Sequence, residues 1–187
     1  MMNGDEISVK ILIAGHFSAG KTTFVTGLSE IRPLSTEEVM TSVGEGIDHT
    51  DRPGKTTTTV AMDFGRLHLD DRRVLYLFGA PGQERYFPVL QDLAHGALGA
   101  VVLTGTSRLE ETYPILELIE RLQLPHLVAV NIFDNEPLHT EARLREVMDL
   151  ADGTPLVTCD ARNPITTRRT LATLVRHLIA LTPEPVR

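Results

Sequence analysis

Between Ile7 and Ile13 polar and apolar residues alternate before the chain becomes wholly apolar, ISVKILI. This predicts a strand entering the middle of a sheet. A helix-period segment follows over 21–30. Residues 31–55 hold Pro33, Gly44, Gly46, Pro53 and Gly54 without a sustained period, so an irregular segment of the kind often kept for function is expected there. Alternation returns over 56–69, with Thr59, Ala61 and Asp63 on one face and Val60, Met62 and Phe64 on the other. A second strand over 73–78, with the Asp70-Asp71 turn between, completes a predicted hairpin. Helices are expected over 85–95, 108–122, 141–150 and 166–181, and strands over 98–103, 127–132 and 155–158. Pro114 is compatible with the helix over 108–122 only within its first turn or two.

Strands and helices alternate after one initial hairpin. The expected architecture is α/β in three layers: a mostly parallel six-stranded sheet with one antiparallel strand, and about five helices on its two faces. In such sheets ligands bind at the carboxyl ends of the strands. A chain of 187 residues suits one domain. Its formal net charge is −7 and its 18 lysines and arginines are scattered, which argues against nucleic acid as a partner. Cys159 is the single cysteine, no leader pattern opens the chain, and no apolar run reaches the roughly 18 residues of a bilayer span. A cytoplasmic protein is expected, reaching a membrane only through a partner and not by direct insertion.

Gly15-His16-Phe17-Ser18-Ala19-Gly20-Lys21-Thr22 matches G-x-x-x-x-G-K-S/T at every fixed position, between a buried strand and a helix. That is the context in which the pattern denotes a phosphate loop. Gly15 and Gly20 let the backbone curl so that the N–H groups around Ser18 and Ala19 face an anion at the helix N-terminus, where Thr23 also stands. Lys21 adds a point charge near the β- and γ-phosphates, and Thr22 offers a hydroxyl to Mg²⁺. His16 occupies a variable loop position and reads as a packing or surface residue, not a general base.

Asn131-Ile132-Phe133-Asp134 follows the strand over 127–132 and resembles the N-K-x-D element of the Ras-like small GTPases. The resemblance implies a P-loop NTPase G domain that binds GTP or GDP with Mg²⁺. Asp134 would take the two donors of the guanine edge, which adenine lacks, with Ile132 in place of the usual lysine. Thr158-Cys159-Asp160-Ala161 falls at the family's T-S-A-K loop, with the Ala161 N–H toward guanine O6. Thr59-Val60-Ala61-Met62-Asp63-Phe64 resembles T-I-G-I-D-F and nominates Thr59 as a second Mg²⁺ ligand, with Thr56, Thr57 and Thr58 as alternatives. Gly79-Ala80-Pro81-Gly82-Gln83-Glu84-Arg85 resembles D-T-A-G-Q-E-R, so Gly82 would meet the γ-phosphate and Gln83 would orient the attacking water. Within that family the chain looks similar to bacterial MglA-type and actinobacterial conservon GTP-binding proteins. This implies a Roadblock/LC7-type regulatory protein and a sensor-kinase-like membrane protein as partners in signalling.

Three departures bear on mechanism. Gly79 removes the aspartate that anchors the metal, so weak Mg²⁺ binding is expected, and Gly79→Asp should strengthen it. Asp63 offers either a hold on a metal-bound water or a structural hydrogen bond. Phe17 obstructs an arginine entering from a partner, and the chain's own candidates are Arg52 and Arg85. A GTPase of low intrinsic rate is therefore expected; the alternative is a GTP-gated scaffold with negligible hydrolysis.

Overall fold

The computed structural model describes residues 6–32, 34–40, 58–134 and 136–182. The strands are β1 (Ile7–Gly15), β2 (Leu34–Met40), β3 (Thr58–His68), β4 (Arg73–Gly79), β5 (Gly99–Thr104), β6 (His126–Asn131) and β7 (Leu156–Cys159). The α-helices are α1 (Lys21–Leu28), α2 (Phe87–Ala94), α3 (Tyr113–Arg121), α4 (Glu141–Val147) and α5 (Pro164–Leu181). Among the described residues they build one sheet in the order β2-β3-β4-β1-β5-β6-β7. β4, β1, β5, β6 and β7 run parallel, and β3 is antiparallel to both its neighbours.

The expected α/β class therefore holds, with one reversed strand and five helices. The sheet gains one edge strand over the expectation, because Leu34–Met40 from the segment read as irregular pairs with β3 from Leu34↔Phe64 to Met40↔Thr58. Its sequence, LSTEEVM, mixes charge with apolar residues and carries little period of its own; pairing to β3 supplies the regularity.

Alternate residues of the central strands feed two cores. Ile11, Ile13, Leu75, Leu77, Val101, Leu103 and Leu127 face α1 and α5, while Leu12, Ala14, Ala100, Val102, Val128 and Val130 face α2, α3 and α4. This period of two, buried on both sides, is why these strands read as continuous apolar runs.

The helix expected over 108–122 divides. Thr106–Thr112 forms 3₁₀ turns in which Arg108 leaves helical geometry at φ −137°, ψ 37°, and α3 begins at Tyr113 with Pro114 in its first turn. Proline lacks the N–H that an interior position would need, so the regular helix starts where that N–H is dispensable. The parallel register brings the carboxyl ends of the strands to one edge: Ile13 lies beside Gly79, Gly15 beside Leu103, and Asn131 beside Cys159.

Candidate functional site

The loop between β1 and α1 has the shape its sequence implies. Ser18 and Gly20 have φ of 65° and 97°, the alternation that turns successive N–H groups toward one concavity. A side chain at Gly20 would collide with the amide of Asn131, and one at Gly15 with the carbonyl oxygen of Leu103. Lys21 Nζ donates to the carbonyl oxygens of Gly15 (2.9 Å) and His16 (2.7 Å), tying the outer side of the loop. Burial lowers the lysine pKa to about 8, and the Asp63 carboxylate opposes that fall. Ala19 is buried, so it shapes the loop while Ser18, Thr22 and Thr23 are exposed.

Lys21, Thr22, Thr23, Ser18, Gly82 and Gln83 line one open cavity of about 610 Å³, within the roughly 300–1,000 Å³ of small-molecule sites. The structure thus brings the loop and the segment after β4 together. Gly82 lies against the loop backbone so closely that a Cβ there would meet the Gly15 oxygen and His16 carbonyl carbon at 2.5 Å.

Asp63 is the residue whose role the sequence left open. Thr22 Oγ1 donates to Asp63 Oδ2 at 2.6 Å. Asp63 stands opposite Gly79 in the β3–β4 pairing, and a Cβ on Gly79 would lie 2.9 Å from the Asp63 Cβ and 3.1 Å from its Oδ2. The carboxylate missing from the end of β4 is present on β3, and the glycine makes room for it. The expectation that Gly79→Asp strengthens metal binding is corrected accordingly, since that space is taken. A magnesium ion fits this foot of the cradle: a hydroxyl and a carboxylate converge there, and Mg²⁺ typically needs only one or two protein ligands when phosphates supply the rest. Among the described residues no group of three or more His, Cys, Asp or Glu gathers to hold a metal by itself.

Thr59 is not brought to that point. Its backbone lies in β3 opposite Val39, and at about 3.3 Å per residue it sits about 13 Å along the strand from Asp63. Arg52, Thr56 and Thr57 lie outside the described residues. Arg85 lines the cavity and stacks over the Tyr86 ring at 4.8 Å. The sequence reading overlooked Arg108, whose Nη1 donates to the Phe17 carbonyl at 3.3 Å while Nε and Nη2 close on Glu111. Phe17 itself is 58% exposed at the cavity mouth.

The segments after β6 and β7 are joined by Asn131. Its Nδ2 donates to the Ala19 carbonyl at 3.1 Å, and its Oδ1 accepts the Ala161 N–H at 2.9 Å. The Ala161 N–H expected to face a base oxygen is therefore engaged by a buried brace. Cys159 is wholly buried, and its carbonyl accepts the Ile132 N–H at 2.8 Å; it belongs to the core. Asp134 is exposed, and Arg162 clamps it through two hydrogen bonds of 2.9 Å, which hold its carboxyl below the usual range. Asp160 accepts from the same guanidinium. Arg162 directly follows the segment quoted from the sequence, and no period or motif singled it out.

Over residues 13–181 the chain matches a protein family described as conserved hypothetical ATP binding protein. The chain belongs to this family. Among curated proteins nothing matches it significantly. The match runs from the end of β1 to the end of α5 and overturns the assignment to the Ras-like small GTPases, including the MglA-type and conservon likeness. The segments behind that assignment are short, the phosphate loop is common to P-loop proteins at large, and the rest depart from the small-GTPase pattern at Gly79 and Ile132. This member of the ATP-binding family is a P-loop nucleotide-binding protein. Among its described residues no helix is long and apolar enough to cross a membrane.

Proposed function

We propose that the chain is a nucleotide hydrolase of low intrinsic rate, acting on GTP with Mg²⁺. The observation that carries this reading is the convergence of Lys21, Thr22, Asp63 and Gln83 on one cavity beneath the phosphate loop, with Asp134 at the neighbouring edge of the sheet. Loop N–H groups and the Lys21 ammonium bind and orient the phosphates; Gln83 positions the attacking water, since phosphoryl transfer relies on positioning and electrostatics. Thr22 and Asp63 would hold the metal, which neutralises phosphate charge when bound. Asp134, with two acceptor oxygens free of the core, suits the paired donors of guanine. Slow turnover follows because Arg85 lies over the Tyr86 ring and Arg108 is held by Glu111 and the Phe17 carbonyl, while an arginine on the transition state is typically worth about 10³ to 10⁵ in rate.

A second reading is adenine, favoured by the family's description as ATP-binding. Competition of GDP and ADP against a fluorescent guanine nucleotide decides between the two, and equal displacement counts against guanine. Single-turnover hydrolysis of GTP should fall at least tenfold in Gln83→Ala; no hydrolysis above background in the wild-type chain would reduce the protein to a nucleotide-gated binding module. The Roadblock/LC7-type and sensor-kinase-like partners rested on the small-GTPase resemblance and form no part of this reading.

A further inference from the structure

Arg162 spans the two loops that would frame a base. Its Nη1 and Nη2 donate to the two oxygens of Asp134 at 2.9 Å each, while Nε and Nη2 reach Asp160 at 2.9 and 3.1 Å. The loops do not need this clamp to stay together, because the buried Asn131–Ala161 bond and the Ile132–Cys159 backbone bond already join them. The Arg162 and Asp134 side chains are 54% and 74% exposed, and an ion pair so exposed to water costs little to open. Ala161 is buried, and its N–H is fixed on Asn131. The chain is thus anchored just before Arg162, and only its side chain has to move.

A guanidinium presents two parallel N–H donors in one plane, which is why it binds carboxylates by two points. The N1–H and exocyclic amine of guanine present the same pair, and adenine does not. We propose that Arg162 is a specificity-determining residue that competes with guanine for Asp134, with Asp160 retaining the guanidinium when guanine takes its place. This rests on the guanine reading above. The competing arginine taxes guanine nucleotides by the fraction of molecules in which it occupies Asp134, and it leaves adenine nucleotides untaxed at that carboxylate.

The test is equilibrium binding of GDP and of ADP, with Mg²⁺, to the full chain and to Arg162→Ala, Asp134→Ala and the double variant. Removing Arg162 also removes a positive charge that favours any nucleotide phosphate, so the quantity read is the ratio of GDP to ADP affinity, from which that effect cancels. Arg162→Ala should raise the ratio by up to about fivefold, the scale of an exposed ion pair. In the Asp134→Ala background it should change nothing. Arg162→Lys, which keeps the charge and loses the fork, should fall between wild type and Arg162→Ala. A ratio that is unchanged or lower in Arg162→Ala, while Asp134→Ala still lowers it, overturns the competition and leaves the guanine reading standing. A ratio indifferent to Asp134→Ala overturns the guanine reading itself.

Discussion

Asp63 and Gly79 exchange the roles that a reading of either alone would give them. The two face each other across the antiparallel β3–β4 ladder, and the missing side chain at one position is the space occupied by the carboxylate at the other. Gly79→Ala would bring a Cβ to 2.9 Å from the Asp63 Cβ, nearer than carbon atoms tolerate. The expected outcome is displacement of Asp63 from the Thr22 hydroxyl, with a loss of about 1–3 kcal/mol in stability, the scale of overpacking. Thermal unfolding checks the loss of stability. A smaller Mg²⁺-dependent gain in nucleotide affinity checks the displacement, and wild-type behaviour in both would rule out the metal-holding role proposed for Asp63.

At the scale of elements, the 3₁₀ turns at Thr106–Thr112 are held by a carboxylate from another loop. Glu136 accepts from the Thr106 N–H at 2.6 Å and the Ser107 N–H at 3.2 Å, and from both hydroxyls. This caps the N-terminal end of the turns, where orphan N–H groups would otherwise go unpaired, and links the β5–α3 connection to the β6–α4 connection. Glu136→Ala should destabilise the protein by about 1–3 kcal/mol, read as a lower denaturation midpoint. An unchanged midpoint would show water satisfying the same donors equally well. A capping residue thirty positions away along the chain leaves no mark in local sequence, whereas Thr140 before α4 and Asn163 before α5 cap the next turn, accepting from Arg143 N and Ile165 N, and are legible as such.

For the molecule as a whole, pH acts on the phosphate loop from two sides. His16 is buried in its neutral form: Nδ1 donates to the Phe17 carbonyl at 2.7 Å and Nε2 accepts the Gly105 N–H at 3.3 Å. Burial lowers its pKa below the ordinary 6.5; nearby Arg108 and Lys21 act in the same sense, while the Phe17 bond and Glu111 oppose it. Because the folded value lies below the unfolded one, the unfolded chain binds more protons on acidification. Stability is complete above about pH 6.5 and falls as pH drops toward and through the folded value. Melting temperatures followed from pH 7.5 to about 5 should show this loss, with a shallower slope in His16→Gln; His126, also lowered chiefly by burial, accounts for a remainder. On the alkaline side Lys21, lowered to about 8, loses its charge, so nucleotide affinity should weaken as pH rises past that value.

The sequence by itself determined the layered α/β architecture, the phosphate loop from Gly15 to Thr22, and the edge of the sheet at which the site forms. Each follows from local rules: apolar period, the obligate glycines of a curled loop, and the direction of strands joined by helices. It did not determine that Leu34–Met40 would complete the sheet edge, that Asn131 would brace the loop, or that Asp63 would stand where Gly79 has no side chain. Nor did it set Arg162 on Asp134. Those four depend on which residues of separate elements come to face each other, a matter of strand register and side-chain reach between positions well apart in the sequence. Short motifs, shared among P-loop families, likewise suggested a kinship that the match over residues 13–181 corrected. A motif reports the chemistry a loop can do, and only the tertiary arrangement decides which side chains are present to share it.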